Sequence, residues 1–117
     1  MKENIILVKT YKFALRIINL HKYLVKEKKE FVLSKQILRC GTSIGANSEE
    51  GASGQTHKDF ITKFAIALKE ARETHYWLRL LKDSKYISQN QFDSLSLDCE
   101  EILRLLVKIQ KTAKGNS

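Results

Sequence analysis

The stretch RCGTSIGANSEEGASG, Arg39 to Gly54, places four glycines and many small polar residues between segments rich in leucine, isoleucine and lysine. It does not match a phosphate-binding loop, because a Walker loop needs G-x-x-x-x-G-K and a dinucleotide loop needs G-x-G-x-x-G. Gly41 and Gly45 are four residues apart, and Ala46 follows where the Walker lysine would stand. Since a helical glycine costs roughly 1 kcal/mol relative to alanine, this pair indicates a face that another helix approaches closely. The expected partner is the third helix, through its small residues Ala67, Ala71 and Thr74.

Amphipathic periodicity on both sides of this stretch predicts four helices. They span approximately residues 4–28, 34–50, 56–82 and 88–113. The chain has 117 residues and no proline, which favours a single domain, residues 1–117, built from long uninterrupted helices. Short connections between such helices predict an all-α fold, an antiparallel up-down-up-down four-helix bundle.

Local signals predict where the helices begin and end. Ser34 is the expected N-cap of the second helix, and Gly51 is placed to stop it. Thr56 and Ser88 begin capping-box patterns ahead of the third and fourth helices. On the first helix, one broad face is expected to enter the core; its members are Leu7, Ala14, Ile17, Ile18, His21, Leu24 and Val25.

The charge is strongly basic, with a net value of +8, and it is unevenly distributed. Between Lys9 and Lys29 there are seven lysines and arginines against one acid, Glu27. Such a surface favours a polyanionic partner, most often nucleic acid, although a lysine face that only keeps the protein dissolved gives the same pattern. The predicted nucleic-acid-binding residues are Lys9, Lys12, Arg16, Lys22, Lys26 and Lys29.

The sequence contains no pattern typical of an enzyme or a metalloprotein. None of the three histidines follows a glutamate at the spacing that di-iron bundles use, so we expect neither a metal nor a cofactor. His75 is interpreted as a hydrogen-bonded histidine at the core. Cys40 and Cys99 lie outside any CxxC motif and are expected to be buried free thiols in a reducing, cytoplasmic setting. The apolar runs are too short to span a membrane.

The third helix carries apolar side chains on a second face, which predicts contact between subunits. The predicted interface residues are Ile66, Glu73, Tyr76, Trp77 and Leu80. The alternative is that Trp77 packs on the first helix of its own chain.

These residues together resemble the four helix bundle proteins known as 23S rRNA-intervening-sequence proteins. Their core pattern, R-x-x-x-S-I-x-x-N-x-x-E-G, is matched from Arg39 to Gly51, and a third helix with a phenylalanine and paired glutamates follows. The matching and helix-packing positions of this block are Arg39, Gly41, Ser43, Ile44, Gly45, Asn47, Glu50 and Gly51. Ser48-Glu49 replaces the apolar-small pair that is more usual after Asn47.

The resemblance implies a homopentameric ring of bundles, of a kind often encoded within insertions in bacterial large-subunit rRNA genes. A related branch is the accessory protein of diversity-generating retroelements, a basic pentamer that binds a reverse transcriptase and nucleic acid. The first hypothesis is therefore a non-catalytic oligomer that binds RNA or DNA through phosphates, with little reading of bases. The second is a scaffold that docks a protein such as a polymerase.

Overall fold

The computed structural model of the protein describes residues 2–115, with side chains from residue 5 onward. Four α-helices follow one another: α1 (Lys2–Lys26), α2 (Leu33–Ala52), α3 (His57–Asp83) and α4 (Gln89–Ala113). No strand occurs within this range, so the predicted all-α class is confirmed, and the arrangement is consistent with a bundle. The bundle measures 44 × 22 × 20 Å, and its long dimension is close to the length of its longest helix.

Each helix packs against its neighbours in sequence, and α1 also packs against α4. The α1–α4 contact is the least extensive of the four, so this side of the bundle is the most open. The core is continuous and includes Phe13, Ile44, Phe64, Leu78 and Ile102, all of which are buried. Their mutual packing supplies most of the stabilisation of such helices.

The buried face of α1 differs from the expected one. Phe13, Ile17, Leu20 and Leu24 are buried, together with Ile6. Of the predicted set, Ile17 and Leu24 are buried, and Leu7, Ala14, Ile18, His21 and Val25 are only half-buried. The predicted face therefore overlaps the buried face but is displaced from it, because apolar residues surround most of α1 and periodicity alone does not fix the centre of the buried stripe.

Gly41 and Gly45 of α2 approach α1, not α3 as the sequence suggested. A Cβ atom added at Gly41 would lie 2.8 Å from side-chain carbons of Ile17, and one at Gly45 would lie 3.3 Å from Thr10 Oγ1. The Thr10 hydroxyl donates to the carbonyl of Ile6 at 2.8 Å, so this buried polar group is satisfied within its own helix. The close-packing interpretation of the glycines holds, with a different partner.

The predicted helix ends are correct for α3 and α4 and wrong for α2. Thr56 Oγ1 accepts from the N–H of Asp59, and Ser88 forms a complete capping box. In α2, Ser34 is inside the helix and buried, and the free N–H groups at the start are bound by Glu30. Gly51 does not stop α2 either. It lies within the helix, where a Cβ would sit 2.8 Å from the Phe64 ring.

Candidate nucleic-acid interface

Two of the six predicted binding cations lie at the seam between α1 and α4 and form ion pairs there. Lys9 Nζ is 3.1 Å from a carboxylate oxygen of Glu101. Arg16 donates to Asp98 at 2.7 Å and to the hydroxyl of Ser94 at 2.8 Å. A phosphate that binds Lys9 or Arg16 would have to compete with these carboxylates. The main role of both cations is therefore to link α1 to α4, and they add little to the unpaired positive charge of the surface.

Of the other four predicted cations, Lys12 lies between Lys9 and Arg16, Lys22 and Lys26 lie near the end of α1, and Lys29 lies in the turn that follows it. Lys12, Lys22, Lys26 and Lys29 are exposed, and no carboxylate that the structure describes lies within ion-pairing distance of them. Three of them are on the outer side of α1. The six predicted binding residues are therefore divided into two that are paired with carboxylates and four that are not.

Because the helices alternate in direction, the α1–α2 and α3–α4 turns lie at the same end of the bundle. This end carries the exposed Lys28, Lys29 and Lys85, with Glu27 and Asp83 as its exposed acids. Lys29 and Lys85 both have positive φ values, 54° and 71°. The predicted set ends at Lys29 and does not include Lys85, because only the fold brings the two turns to one end.

A second unpaired set of cations lies on the outer face of α3. Lys69, Arg72 and Arg79 are exposed, and Tyr76 lies on the same face. None of these three cations has an ion-pair partner among the described carboxylates. The 3-4-3 spacing of the four residues is visible in the sequence and was not used there.

The predicted subunit interface on α3 is mostly in contact with its own chain. Ile66, Trp77 and Leu80 are half-buried, and the indole N–H of Trp77 donates to Glu73 at 3.3 Å. Tyr76 is the exposed member, at 46%. The α3 interface therefore stays a prediction, and little exposed apolar surface supports it.

The outer face of α1 offers more exposed apolar surface than α3. Ile5, Val8, Tyr11 and Leu15 are each between 48% and 61% exposed. Of these four residues, Ile5 also lines an open groove of about 810 Å³ between the start of α1, the α2–α3 turn and the end of α4. Its apolar lining includes Ile5, Phe60, Leu105 and Ile109. Contiguous apolar surface of this kind is typical of an interaction site.

The comparisons with known proteins agree on one family. The profile described as "23S rRNA-intervening sequence protein" matches residues 2–108. The chain belongs to this family. A solved structure of the S23 ribosomal protein family from Bacteroides thetaiotaomicron, described as a protein with unknown function, is 55% identical to this chain. The match covers 95% of this chain and 99% of that one, with a TM-score of 0.93. Among proteins of curated function, none matches.

In this member of the intervening-sequence family, the arginine of the sequence motif links α2 to α3. Arg39 forms an ion pair with Glu73 at 2.6 Å and a longer one with Glu70 at 3.4 Å. Glu70 is nearly buried, so Arg39 supplies the positive charge that this carboxylate needs. Because Glu73 also accepts from Trp77, the network fixes the indole as well.

The remaining motif positions of the intervening-sequence family also have structural roles. Asn47 donates to the carbonyl of Ser43 at 2.9 Å and to its hydroxyl at 3.0 Å, so this pair stays within α2. Ile44 is fully buried, and Glu50 forms an ion pair with Lys63 at 2.8 Å. Within one chain, therefore, Arg39 and Glu50 bond to α3, and Asn47 bonds within α2.

His75 contacts a serine and a glutamate, but the arrangement differs from a hydrolase triad. Its Nε2 lies 3.1 Å from the Ser96 hydroxyl and 3.5 Å from the Glu100 carboxylate. A triad needs the acid on one ring nitrogen and the nucleophile on the other, and here both partners meet the same nitrogen. The Ser96 side chain is also buried. His75 is thus the hydrogen-bonded histidine that the sequence predicted, with partners on α4 that lie too far along the chain to be read from a motif.

The two cysteines are free and buried, as expected. Burial raises the pKa of the Cys40 thiol to about 11 and that of the Cys99 thiol to about 12. Both thiols are therefore neutral near pH 7 and unsuited to nucleophilic chemistry. Within residues 2–115 no cluster of three His, Cys, Asp or Glu side chains could hold a metal ion, and no helix there is apolar over a bilayer-spanning length.

Proposed function

We propose that this member of the intervening-sequence family is a non-catalytic, basic homo-oligomer that binds RNA through phosphate contacts. The observation that carries the proposal is the excess of unpaired cations. Of the twenty Lys and Arg side chains that the structure describes, five have a described carboxylate within 4.0 Å, and the other fifteen are exposed without one. Binding of a polyanion to such a surface releases counterions, which favours association.

Self-association would multiply this surface. The contact that we propose between subunits is the exposed apolar face of the first half of α1, Ile5, Val8, Tyr11 and Leu15. Lys12 lies among these residues and would be covered by the contact, whereas Lys22, Lys26 and Lys29 lie beyond it, toward the α1–α2 turn. A ring of subunits, five in the arrangement that the family resemblance implies, repeats the same free cations, so weak phosphate contacts add through multivalency. The descriptions of the matching family and structure indicate no enzymatic family.

The test is a fluorescence-anisotropy titration of labelled structured RNA, single-stranded RNA and duplex DNA at low salt. The variant Lys22→Gln/Lys26→Gln/Lys29→Gln removes three free cations of the predicted set. We expect it to weaken RNA binding at least tenfold, since each lost phosphate contact removes a share of the counterion release. The matched control is Lys9→Gln, because Lys9 is already paired with Glu101 and should matter less.

An alternative function uses the same surface to dock an acidic protein such as a polymerase. In that case wild-type protein binds none of the three nucleic acids, even at low salt. That result would contradict the RNA proposal.

A further inference from the structure

The outer face of α3 carries a compact basic and aromatic surface. We name it the α3 stripe and define it as Lys69, Arg72, Tyr76 and Arg79. Their 3-4-3 spacing places them on one side of the helix, and all four are exposed. From the first residue to the last, the stripe covers about 15 Å of helix. The preceding exposed positions on this face are the small residues Thr62 and Ala65, so the approach to the stripe is unobstructed.

The positive charge of the α3 stripe is not neutralised from within the bundle. Of the nearby acids of α3, Glu70 and Glu73 are both bound by Arg39 on the side that faces α2. Asp83, four residues after Arg79, forms its described ion pair with Lys82 at 3.6 Å. Lys69, Arg72 and Arg79 have no described carboxylate at ion-pairing distance. The three cations therefore repel one another along one helix face, and an anion that binds there relieves this repulsion.

Tyr76 gives the stripe a second property. Its side chain is 46% exposed, although its neighbour Trp77 is half-buried. The Tyr76 and Trp77 rings meet edge to face at 5.3 Å between centroids, with an interplanar angle of 71°. The guanidinium carbon of Arg79 lies 5.6 Å from the centre of the Tyr76 ring. The ring is thus held in place, which lowers the entropy that it would lose on stacking against a ligand.

An exposed aromatic ring between unpaired cations is a combination with which proteins bind single-stranded nucleic acids. Their phosphates need cations, and their unstacked bases present flat faces to aromatic side chains. In a duplex the base faces are stacked on one another and cannot reach Tyr76. An acidic peptide would satisfy the cations, but its carboxylates gain nothing from the ring.

We propose that the α3 stripe binds single-stranded nucleic acid, with phosphates on Lys69, Arg72 and Arg79 and one base stacked on Tyr76. This inference rests on the proposed function and adds to it a site and a class of nucleic acid. It also assigns Tyr76, predicted from the sequence as an interface residue, to ligand binding.

The test separates stacking from charge. A fluorescein-labelled 20-nucleotide single-stranded RNA is titrated with wild-type protein and with Tyr76→Ala, Tyr76→Phe and Lys69→Gln/Arg72→Gln over a range of salt concentrations. The control, Arg104→Gln/Lys111→Gln, removes the same two residue types from exposed, unpaired positions on α4. A single-stranded DNA of the same length distinguishes recognition of RNA from recognition of any single strand.

We expect Tyr76→Ala to weaken binding about tenfold or more without changing the salt slope, and Tyr76→Phe to bind within about twofold of wild type. The Lys69/Arg72 variant should weaken binding and reduce the magnitude of the log–log salt slope by about 1 to 1.5, whereas the α4 control should change affinity less than about threefold. Trp77 is the only tryptophan, so its emission should also change when RNA binds next to it.

Three results would overturn the inference. If wild type binds RNA and Tyr76→Ala binds equally well, the proposed function stands and the stacking site is wrong. If the α4 control weakens binding as much as the stripe variant, the contact is spread over the whole surface. If Tyr76→Ala lowers the molecular mass measured by light scattering, the stripe is a subunit contact. Absence of any RNA binding by wild type would instead remove the proposed function itself.

Discussion

At the scale of single residues, Glu30 shows how one carboxylate starts a helix. Its two oxygens accept from the N–H groups of Val32, Leu33 and Ser34, at 3.2, 2.9 and 2.7 Å. Burial alone would raise the pKa of Glu30, but these backbone hydrogen bonds outweigh it and lower the pKa. The Ser34 hydroxyl donates to the backbone carbonyl of Glu30 at 2.8 Å. The negative charge therefore stabilises both the free N–H groups and the helix dipole of α2.

The Glu30 contribution is testable by substitution and by pH. Glu30→Gln should lower the free energy of unfolding by about 1–3 kcal/mol at pH 7, measured by urea denaturation, because a charged acceptor is lost from buried donors. Since the folded pKa lies below the ordinary value of 4.5, this stabilisation is present above that pH and is lost as the pH falls through the folded pKa. Glu27→Gln, at an exposed position, is the control and should cost less than about 0.5 kcal/mol.

The two glycines that face α1 should respond differently to alanine. At Gly41 the new Cβ would lie 2.8 Å from two carbons of Ile17, so we expect a loss of about 1–3 kcal/mol despite the better helix propensity of alanine. At Gly45 the nearest atom is 3.3 Å away, and the change should be within about 1 kcal/mol of wild type. Equal stability of Gly41→Ala and wild type in urea denaturation would contradict the close approach of α1.

At the scale of helices, the sequence predicted their number, their order and two of their caps, but it misplaced the core-facing side of α1. α1 is apolar on its core side and also at Ile5, Val8 and Leu15 on its outer side, so the period of 3.6 has no single direction to indicate. The sequence also does not show which helix Gly41 approaches, because its contact residue, Ile17, lies on another helix that only the fold brings close. The pairing of Lys9 and Arg16 with α4 depends on residues more than 80 positions away, which no local pattern contains.

The seam between α1 and α4 depends on such polar contacts because its apolar packing is the least extensive. Arg16→Gln should lower the free energy of unfolding by about 1 kcal/mol, measured by chemical denaturation. The exposed Lys12, with no described partner, provides the control, and Lys12→Gln should be nearly neutral. A double-mutant cycle with Asp98→Asn should give a coupling of about 0.5–1 kcal/mol, and a coupling of zero would show that the pair is only incidental.

At the scale of the whole molecule, the proposed subunit contact is the apolar outer face of α1. Val8→Glu/Leu15→Glu should convert the oligomer to monomer in light scattering at micromolar concentration, because buried unpaired carboxylates oppose association. The matched control is Leu97→Glu on α4, where an apolar side chain is 66% exposed but isolated. Dissociation by the control and not by the α1 variant would place the interface elsewhere.

The proposed function requires that free cations on an oligomeric bundle bind nucleic acid. The most direct measurement is the salt dependence of the dissociation constant of wild-type protein for single-stranded RNA, from low to physiological salt. We expect a steep linear log–log plot whose slope corresponds to several neutralised phosphates, at about 0.7 per phosphate. A flat plot, or no binding at the lowest salt, would contradict the claim and leave the basic surface as a dock for protein.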